Sequence, residues 1–284
     1  MSIEHVRAAF ERWHAAAAAG IDLLTAVHSV CSPDCIVHVQ NGQDGGLALT
    51  EDQTRQARAL CPDLSMEIDH ITATDDRMLV QVSMRGTPSL IFQIFQRRRT
   101  LRSVGAMVAR VNERAEFVEL WPYINPGAMI AFPPRKRPAP PVPDELPGTD
   151  ADASIVLEQW TRAATAQAFL SEILATTVPN CLVHGTNSEV GGTDVLKDQF
   201  AVLHSAFPEL DITFKSGFVA DDRLIVQFEF DGVQRGALGI APASNSRVQS
   251  TGAIVARVTL DHRVQEMWVY LAPGMGLIFP RTDR

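Results

Sequence analysis

The sequence lacks an excess of positive charge and long apolar runs, and each absence argues against a class of protein. Its 284 residues hold 25 Lys and Arg against 33 Asp and Glu, which gives a formal net charge of −8. Nucleic acid is therefore not expected as a partner, because phosphate binding needs a basic face. No segment approaches the ~18 apolar residues that would span a bilayer, so no membrane partner is expected either.

Paired cysteine spacings are also lacking. Cys31, Cys35 and Cys61 lie in the first half of the chain and Cys181 in the second. This division suits neither a symmetric disulfide framework nor a zinc site, so no metal is expected. The opening stretch MSIEHVRAAFERW carries both charges and no apolar core, which is typical of a helix rather than a signal peptide. Reduced, mostly buried thiols in a cytoplasmic protein are the expectation.

One phrase occurs twice in the chain, as CIVHVQNGQDGG from Cys35 and CLVHGTNSEVGG from Cys181, 146 positions later. The similarity continues through CPDL and FPEL, DDR in both copies, GAMVARV and GAIVARV, and ELWPY and EMWVY. A packed core needs only apolar residues at the right period. A repeated His and Asn therefore indicate either a duplicated active site or common ancestry alone.

A proline-rich stretch, PPRKRPAPPVPDELPGTDADA, separates the two copies. Its prolines disfavour both helices and sheet ladders, so we interpret it as an extended linker. The predicted organisation is domain 1 at residues 1–134, a linker at 135–151 and domain 2 at 152–284. Each domain is long enough to bury a core of its own.

Each copy has the pattern of an α+β domain. Apolar residues at helical spacing in HVRAAFERWHAAAAAG and ASIVLEQWTRAATAQAF predict a first helix. A short strand then carries the His phrase, a second helical stretch follows, and the remainder alternates with period two. Helices followed by a run of antiparallel strands predict a curved, mostly antiparallel sheet with the helices on one face.

With these blocks in this order, each half resembles the SnoaL-like polyketide cyclases of the nuclear-transport-factor-2-like superfamily. The second half carries AFPEL, DDR, a Gly-containing loop and EMW in the family's order, whereas the first half reads SLIFQIFQRRRTLRSV where the loop should be. The resemblance implies two tandem cone-shaped domains, each with a deep and largely apolar pocket. It also implies that the fusion replaces the dimer of single-domain relatives, giving a pseudo-dimeric monomer.

The acid/base Asp of the cyclases falls on a different residue type in both copies. By the resemblance it lies four residues after the Trp of E-x-W, at Ala272 and Asn125, and a second polar pocket position falls on Ile254 and Met107. None of these side chains transfers a proton as a carboxylate does. The usual cyclase apparatus is therefore missing, and Asn125, Ile254 and Met107 are retained only as substrate-contacting candidates.

The repeated histidines, His38 and His184, are the first catalytic candidates. They occupy the place where the resembled two-domain epoxide hydrolases that form polyether rings carry an Asp. A neutral imidazole can accept a proton at physiological pH, so His at this place fits proton abstraction next to a carbonyl group. The alternative is a His that bonds to backbone within a packed strand.

Strand alternation groups three more candidates in each copy. By the resemblance this face lines the pocket, where burial would raise the pKa of the Glu and make it a general acid. The Tyr would polarise a carbonyl oxygen and the Trp would contact substrate. In the alternative, the Glu pairs with Arg257 or Arg110 and the Tyr fills a rim. The candidates are Glu266, Trp268 and Tyr270 in the second copy and Glu119, Trp121 and Tyr123 in the first.

Further repeated side chains are candidates for substrate contact. Asn187 and Asn41 follow the His by three residues and either orient a substrate oxygen or bond to local backbone. Trp160 and Trp13 lie on the first helices, as core or as pocket wall. A cluster of arginines occurs only in the first half and predicts either a solvated loop or a docking patch for an acidic partner such as an acyl carrier protein. Its members are Arg97, Arg98, Arg99 and Arg102.

Together these features predict a cofactor-independent cyclase or isomerase that acts by general acid–base catalysis on a small, polyketide-like, largely apolar natural-product intermediate. His184 or His38 would be the base, with the Glu and Tyr of the same copy as acid and oxyanion partner. The second copy is favoured because it keeps the loop. Two alternatives stay open: an epoxide hydrolase or cyclic ether-forming enzyme, and a non-catalytic binding protein for a biosynthetic intermediate.

Overall fold

A computed structural model describes residues 3–18, 23–39, 43–89, 100–125, 128–133, 135–142, 153–165, 168–239 and 241–271. The chain forms two compact units, Met1–Pro126 and Gly127–Arg284, called domain 1 and domain 2 below. The described part of the predicted linker, residues 135–142, lies in the second unit, and residues 143–151 lie outside the described parts. The predicted boundaries at 134 and 152 stay predictions.

Domain 1 combines helices with one six-stranded mixed sheet. The strand order is β2-β1-β6-β5-β4-β3, in which β1 and β6 are parallel and the other neighbours are antiparallel. Its elements are α1 (Ile3–Ala18), α2 (Leu23–Ala26) with a 3₁₀ turn (Val27–Ser29), β1 (Cys31–Val39), β2 (Gln43–Gly45), α3 (Ala48–Leu60), β3 (Ser65–Ala73), β4 (Arg77–Gly86), β5 (Leu101–Val111) and β6 (Phe117–Tyr123).

Domain 2 repeats this topology, with strand order β8-β7-β12-β11-β10-β9. The predicted architecture of two tandem α+β domains, each with a mostly antiparallel sheet covered by helices, is therefore confirmed. Its elements are α4 (Ala128–Ala131), α5 (Ser154–Thr165), α6 (Phe169–Thr176), β7 (Thr177–His184), β8 (Val190–Gly191), α7 (Thr193–Ala206), β9 (Asp211–Ala220), β10 (Arg223–Val233), β11 (Arg247–Val258) and β12 (Val264–Leu271).

The helix side of the domain 2 sheet is filled by apolar side chains. Met267, Val269 and Leu271 of β12 belong to the same buried cluster as Trp160 of α5 and Phe200 of α7. Because side chains alternate along a strand, the intervening residues project to the opposite surface of the sheet, called the far face here. The far face of β12 therefore carries the Glu, Trp and Tyr candidates.

This orientation corrects the expectation that the Trp face lines the helix-covered interior. In domain 1 the same pattern holds, since Val37 and Val39 join the helix-side cluster while His38 lies between them on the strand. The physical reason is register. The two alternate sets of a strand project to opposite faces, and the helices pack on the set that holds Met267, Val269 and Leu271 and excludes the Glu.

Four other candidates lie in the helix-side cores. Ile254 is fully buried and Met107 is nearly so, each within the apolar cluster of its domain. Trp160 is also fully buried, and its Nε1 donates a hydrogen bond to Thr176 Oγ1 at 2.8 Å. Trp13 is buried in domain 1 and meets Phe117 edge-to-face. Of the two expectations for the helix tryptophans, core and pocket wall, core is what the packing shows.

The repeated glycines are explained by close packing. A Cβ on Gly191 would lie 2.8 Å from Cγ2 of Val195, and one on Gly45 would lie 2.8 Å from Cδ1 of Leu49. In each domain the helix after the His strand therefore rests directly on this glycine. Close packing thus accounts for the first glycine of the repeated pair.

Two expectations from composition can be compared with the structure. All four cysteines are free thiols, with Cys35, Cys61 and Cys181 buried and Cys31 partly so, as predicted. Within the described residues, no helix combines the length and apolar character needed to cross a membrane.

Candidate functional site

His184, at the end of β7, lies against Trp268 and Glu266 of the neighbouring strand β12. The parallel pairing puts His184 opposite Trp268, and the two rings stack with centroids 4.9 Å apart and an interplanar angle of 4°. Nε2 of His184 is 2.8 Å from Oε1 of Glu266, and the two side chains are 21% and 13% exposed. The sequence thus grouped these three residues correctly, and they form a His–Glu pair on an indole surface.

Glu266 also ends a chain of charged side chains across the far face. Its Oε2 accepts a hydrogen bond from Arg257 Nη1 at 3.2 Å, and Arg257 Nε donates to Asp222 Oδ2 at 2.7 Å. Burial alone would raise the pKa of Glu266, but the hydrogen bonds and charges of His184 and Arg257 outweigh it and lower the pKa. The expected general acid is therefore an ionised carboxylate, and the alternative pairing with Arg257 is what the structure shows.

The first copy repeats the arrangement. His38 stacks on Trp121 with centroids 4.7 Å apart, and its Nε2 is 3.5 Å from Oε1 of Glu119. Glu119 Oε2 accepts a hydrogen bond from Arg110 Nε at 2.5 Å. The repeated His and Glu therefore reflect one conserved local structure in both copies.

The second ring nitrogen distinguishes the two histidines. Nδ1 of His38 is 2.8 Å from Oδ1 of Asp44, whereas the residue at the matching register position opposite His184 is Val190. His38 thus has a carboxylate oxygen within 3.5 Å of each ring nitrogen, and the one at Nδ1 is at hydrogen-bonding distance. His184 has one carboxylate, so its neutral form carries the lone pair on Nδ1.

We expect Glu266→Gln to lower the free energy of unfolding of domain 2 by about 1–3 kcal/mol at neutral pH, because buried charge-assisted hydrogen bonds are lost. The folded pKa of Glu266 lies below its ordinary value of 4.5, so the stabilisation is complete above that value and is lost as pH falls through the lower folded pKa. Urea unfolding measured from neutral pH into this acid range gives the free energy of unfolding at each pH. This free energy should fall less steeply with decreasing pH in Glu266→Gln than in the wild type. Glu119→Gln is the matched control, because its partner Arg110 is more exposed than Arg257. If the free energy of unfolding falls with pH in Glu266→Gln as steeply as in the wild type, Glu266 does not have the lowered pKa assigned to it.

The far face also holds the tyrosines and a second cation. Tyr270 and Tyr123 are both buried, so neither fills a rim. The guanidinium carbon of Arg223 lies 4.5 Å from the centre of the Trp268 ring, a cation–π contact. Trp268 therefore contacts both an imidazole and a guanidinium.

The remaining candidates separate into structural and undescribed residues. Asn187 donates from Nδ2 to Phe132 O at 2.8 Å, and its Oδ1 accepts from Glu189 N and Gln199 Nε2, both at 3.2 Å. Its amide is thus engaged in protein contacts rather than directed at a substrate. Asn125 is buried just after β6. Asn41 and the arginines at 97, 98 and 99 lie outside the described residues, and Arg102 is exposed on β5.

A cavity of about 490 Å³ opens in domain 2 between α6, α7 and the start of β9. This volume falls within the roughly 300–1,000 Å³ of small-molecule pockets. Its apolar wall continues into the core, because Phe169 meets Phe228 edge-to-face with centroids 5.3 Å apart. The lining residues are Ala168, Phe169, Leu170, Ser171, Phe200, His204, Glu209, Leu210, Asp211 and Ile212.

The resemblance implied a pocket in each domain, but none of the residues that line this cavity was a sequence candidate, because the candidates are side chains that the two copies share. Phe200 and His204 lie four residues apart on α7, hence on one helix face, but the matching positions of the first copy hold Thr54 and Arg58. The signal available in the sequence was therefore a difference between the copies.

Both domains match models of known protein families. Residues 6–119 match the family model of the SnoaL-like domain, and residues 155–271 match that of the SnoaL-like polyketide cyclases. A search among curated proteins found no match.

Solved structures of single domains are similar to part of the chain. AclR, a candidate hydroxylase from Streptomyces galilaeus, is 21% identical over 46% of this chain and 85% of its own, with a TM-score of 0.38. A candidate SnoaL-like polyketide cyclase from Jannaschia sp. CCS1 is 19% identical over 49% of this chain and 99% of its own, with a TM-score of 0.38. An NTF2-like protein of unknown function from Burkholderia pseudomallei is 10% identical over 45% and 98%, with a TM-score of 0.35. With a family model matched in each half, the chain is a tandem protein of two SnoaL-like domains.

Proposed function

We propose that this protein is a cofactor-independent cyclase or isomerase that removes a proton next to the carbonyl group of a small, polyketide-like compound. The compound is held in the cavity of domain 2. The observation that carries the proposal is the composition of that cavity, which combines aromatic and aliphatic walls with an imidazole and two carboxylates. Phe169 and Phe200 are buried, whereas His204, Glu209 and Asp211 are exposed, so the polar groups lie at the open side of the cavity.

His204 is the proposed base. It lies one helical turn after Phe200, so the imidazole and the aromatic wall share a face of α7. Imidazole is the side chain best suited to take up and release a proton near neutral pH. Glu209 and Asp211 add two carboxylates to the lining of the same cavity.

The His184–Glu266 pair is the second candidate for the base. Because Nε2–H is donated to the ionised Glu266, the lone pair of the neutral ring lies on Nδ1, as in a catalytic His–carboxylate pair. Against this role, His184 lies on the far face of the sheet, whereas Phe169 and Phe200 of the cavity belong to the helix-side core. The cavity supports His204 over His184.

Filling the cavity should weaken the binding of an apolar ketone. Ile212 is half-buried in the cavity wall, so Ile212→Trp places an indole where the ligand would lie. We expect the Kd of the fluorescent ketone prodan to rise at least about tenfold, which corresponds to about 1.4 kcal/mol. Fluorescence titration measures this directly.

The matched control is Met66→Trp, at the equivalent half-buried position of β3 in domain 1. It should leave the Kd of prodan unchanged if the cavity of domain 2 is the binding site. An equal rise of the prodan Kd in the two variants, or a rise in neither, contradicts the proposed site.

A further inference from the structure

The first residues of the predicted linker make specific contacts with domain 2. Arg137 Nε donates to Glu189 Oε1 at 2.6 Å, and Nη1 lies 2.5 Å from Asp194 Oδ2 and 2.9 Å from Asp198 Oδ2. One guanidinium thus binds three carboxylates, one from the turn between β7 and β8 and two from α7. Arg135 adds an ion pair with Asp198 at 2.9 Å.

The side chain of Arg137 is largely buried, although the other residues of the segment are mostly exposed. The Arg137 side chain is 10% exposed and that of Glu189 is 7% exposed. Burial alone would lower the pKa of Arg137, but hydrogen bonds to Glu189 and Asp194 outweigh it and raise the pKa, so the guanidinium stays charged. A buried Arg in a proline-rich segment indicates a built contact, since Arg is rarely buried without partners.

The carboxylate at the centre of the contact is held in place by its own neighbours. Asn187 Oδ1 accepts from the backbone N–H of Glu189 at 3.2 Å, and Asn187 Nδ2 lies 3.3 Å from Glu189 Oε2. Glu189 Oε1 also accepts the backbone N–H of Arg135 at 3.0 Å. A Cβ on Gly191 would lie 3.5 Å from Cδ of Arg137, so the Arg stem runs closely over this glycine.

Domain 1 lacks most of these groups. At the positions equivalent to Glu189 and Asp194 it has Gln43 and Ala48, and only Asp52 matches Asp198. The three carboxylates therefore occur together only in the copy that follows the linker.

We propose that Glu189, Asp194 and Asp198 form a guanidinium-binding site whose ligand is Arg137 of the same chain. Residues 135–142 are then a strap held on domain 2 rather than a free tether. A further contact at the end of the segment, from Asn180 Nδ2 to Val142 O at 3.4 Å, agrees with this. The strap is independent of the catalytic proposal.

Endoproteinase Lys-C tests the strap in the full chain. The sequence has three lysines: Lys136 in the strap, Lys197 in α7 and Lys215 in β9. In the wild type, cleavage after Lys136 requires release of the buried Arg137. The double variant Glu189→Gln and Asp194→Asn leaves the strap sequence intact, and we expect it to be cleaved after Lys136 at least about tenfold faster.

Asp52→Asn, the domain 1 counterpart of a change in this site, should leave that rate unchanged. An unaltered rate in the double variant overturns the proposal. If the double variant is cut at all three lysines together, domain 2 has unfolded. The single variant Asp194→Asn, which keeps the buried Glu189, then serves as the test of the strap. A selective rise after Lys136 in this single variant supports the strap, and an unchanged rate overturns it.

Discussion

Replacing His204 by Ala is expected to slow the exchange of the α-protons of 2-tetralone with D₂O by about 100-fold relative to the wild type. A positioned general base contributes at least this factor, and 2-tetralone is an apolar ketone of a size that suits the cavity. The exchange is followed by proton NMR and needs no knowledge of the natural substrate. It reports the elementary step that both aldol closure and isomerisation require.

Two comparisons make this result specific. Arg58→Ala alters the equivalent position of α3 in domain 1 and should leave the exchange rate unchanged. His184→Ala discriminates between the two candidate bases, because the His204 assignment predicts less than about a twofold effect from it. A larger loss in His184→Ala than in His204→Ala would transfer the role to the His184–Glu266 pair. Prodan binding without any exchange in the wild type would indicate a binding protein.

Trp160→Ala is expected to lower the free energy of unfolding of domain 2 by about 3–5 kcal/mol. The indole is fully buried among the helix-side side chains, so truncation removes apolar contacts and leaves a cavity. It also removes the hydrogen bond to Thr176, although the Thr176 hydroxyl keeps its bond to the carbonyl of Ile173. Urea unfolding followed by circular dichroism measures the change.

Two variants control for this effect. Trp160→Phe keeps an aromatic ring and loses the hydrogen bond, so its cost should be clearly smaller than that of the Ala variant. Ile155→Ala lies on the same helix α5 at an exposed position and should stay within about 0.5 kcal/mol of the wild type. Comparable decreases in the free energy of unfolding in Ile155→Ala and Trp160→Ala would contradict the placement of Trp160 in the core.

The two-domain fold could be predicted from the sequence because the pattern of helices and strands occurs in both copies. Strand alternation put Glu266 and Trp268 on one face of β12, and the repeat separately singled out His184, which contacts both. Alternation assigns residues to two faces but does not say which face meets the helices. Both sets on β12 are rich in apolar residues, so only tertiary packing decides, and the resemblance suggested the opposite orientation.

The state of Glu266 and the position of the cavity depend on contacts between distant segments. The lowered pKa of Glu266 requires His184 and Arg257, which no spacing rule brings to the carboxylate together. The cavity combines α6, the end of α7 and the start of β9, and its Phe and His have no counterparts in the first copy. The contact of Arg137 with Glu189 spans 52 residues and joins a proline-rich segment to a turn. Neither segment carries a local signal of this pairing.

The central claim, that the ligand lies on the helix side of domain 2, is tested most directly by intermolecular nuclear Overhauser effects from bound 2-tetralone. We predict cross-peaks to the ring protons of Phe169 and Phe200 and to His204. Cross-peaks to the indole of Trp268 and the imidazole of His184 instead would contradict it and place the site on the far face of the sheet.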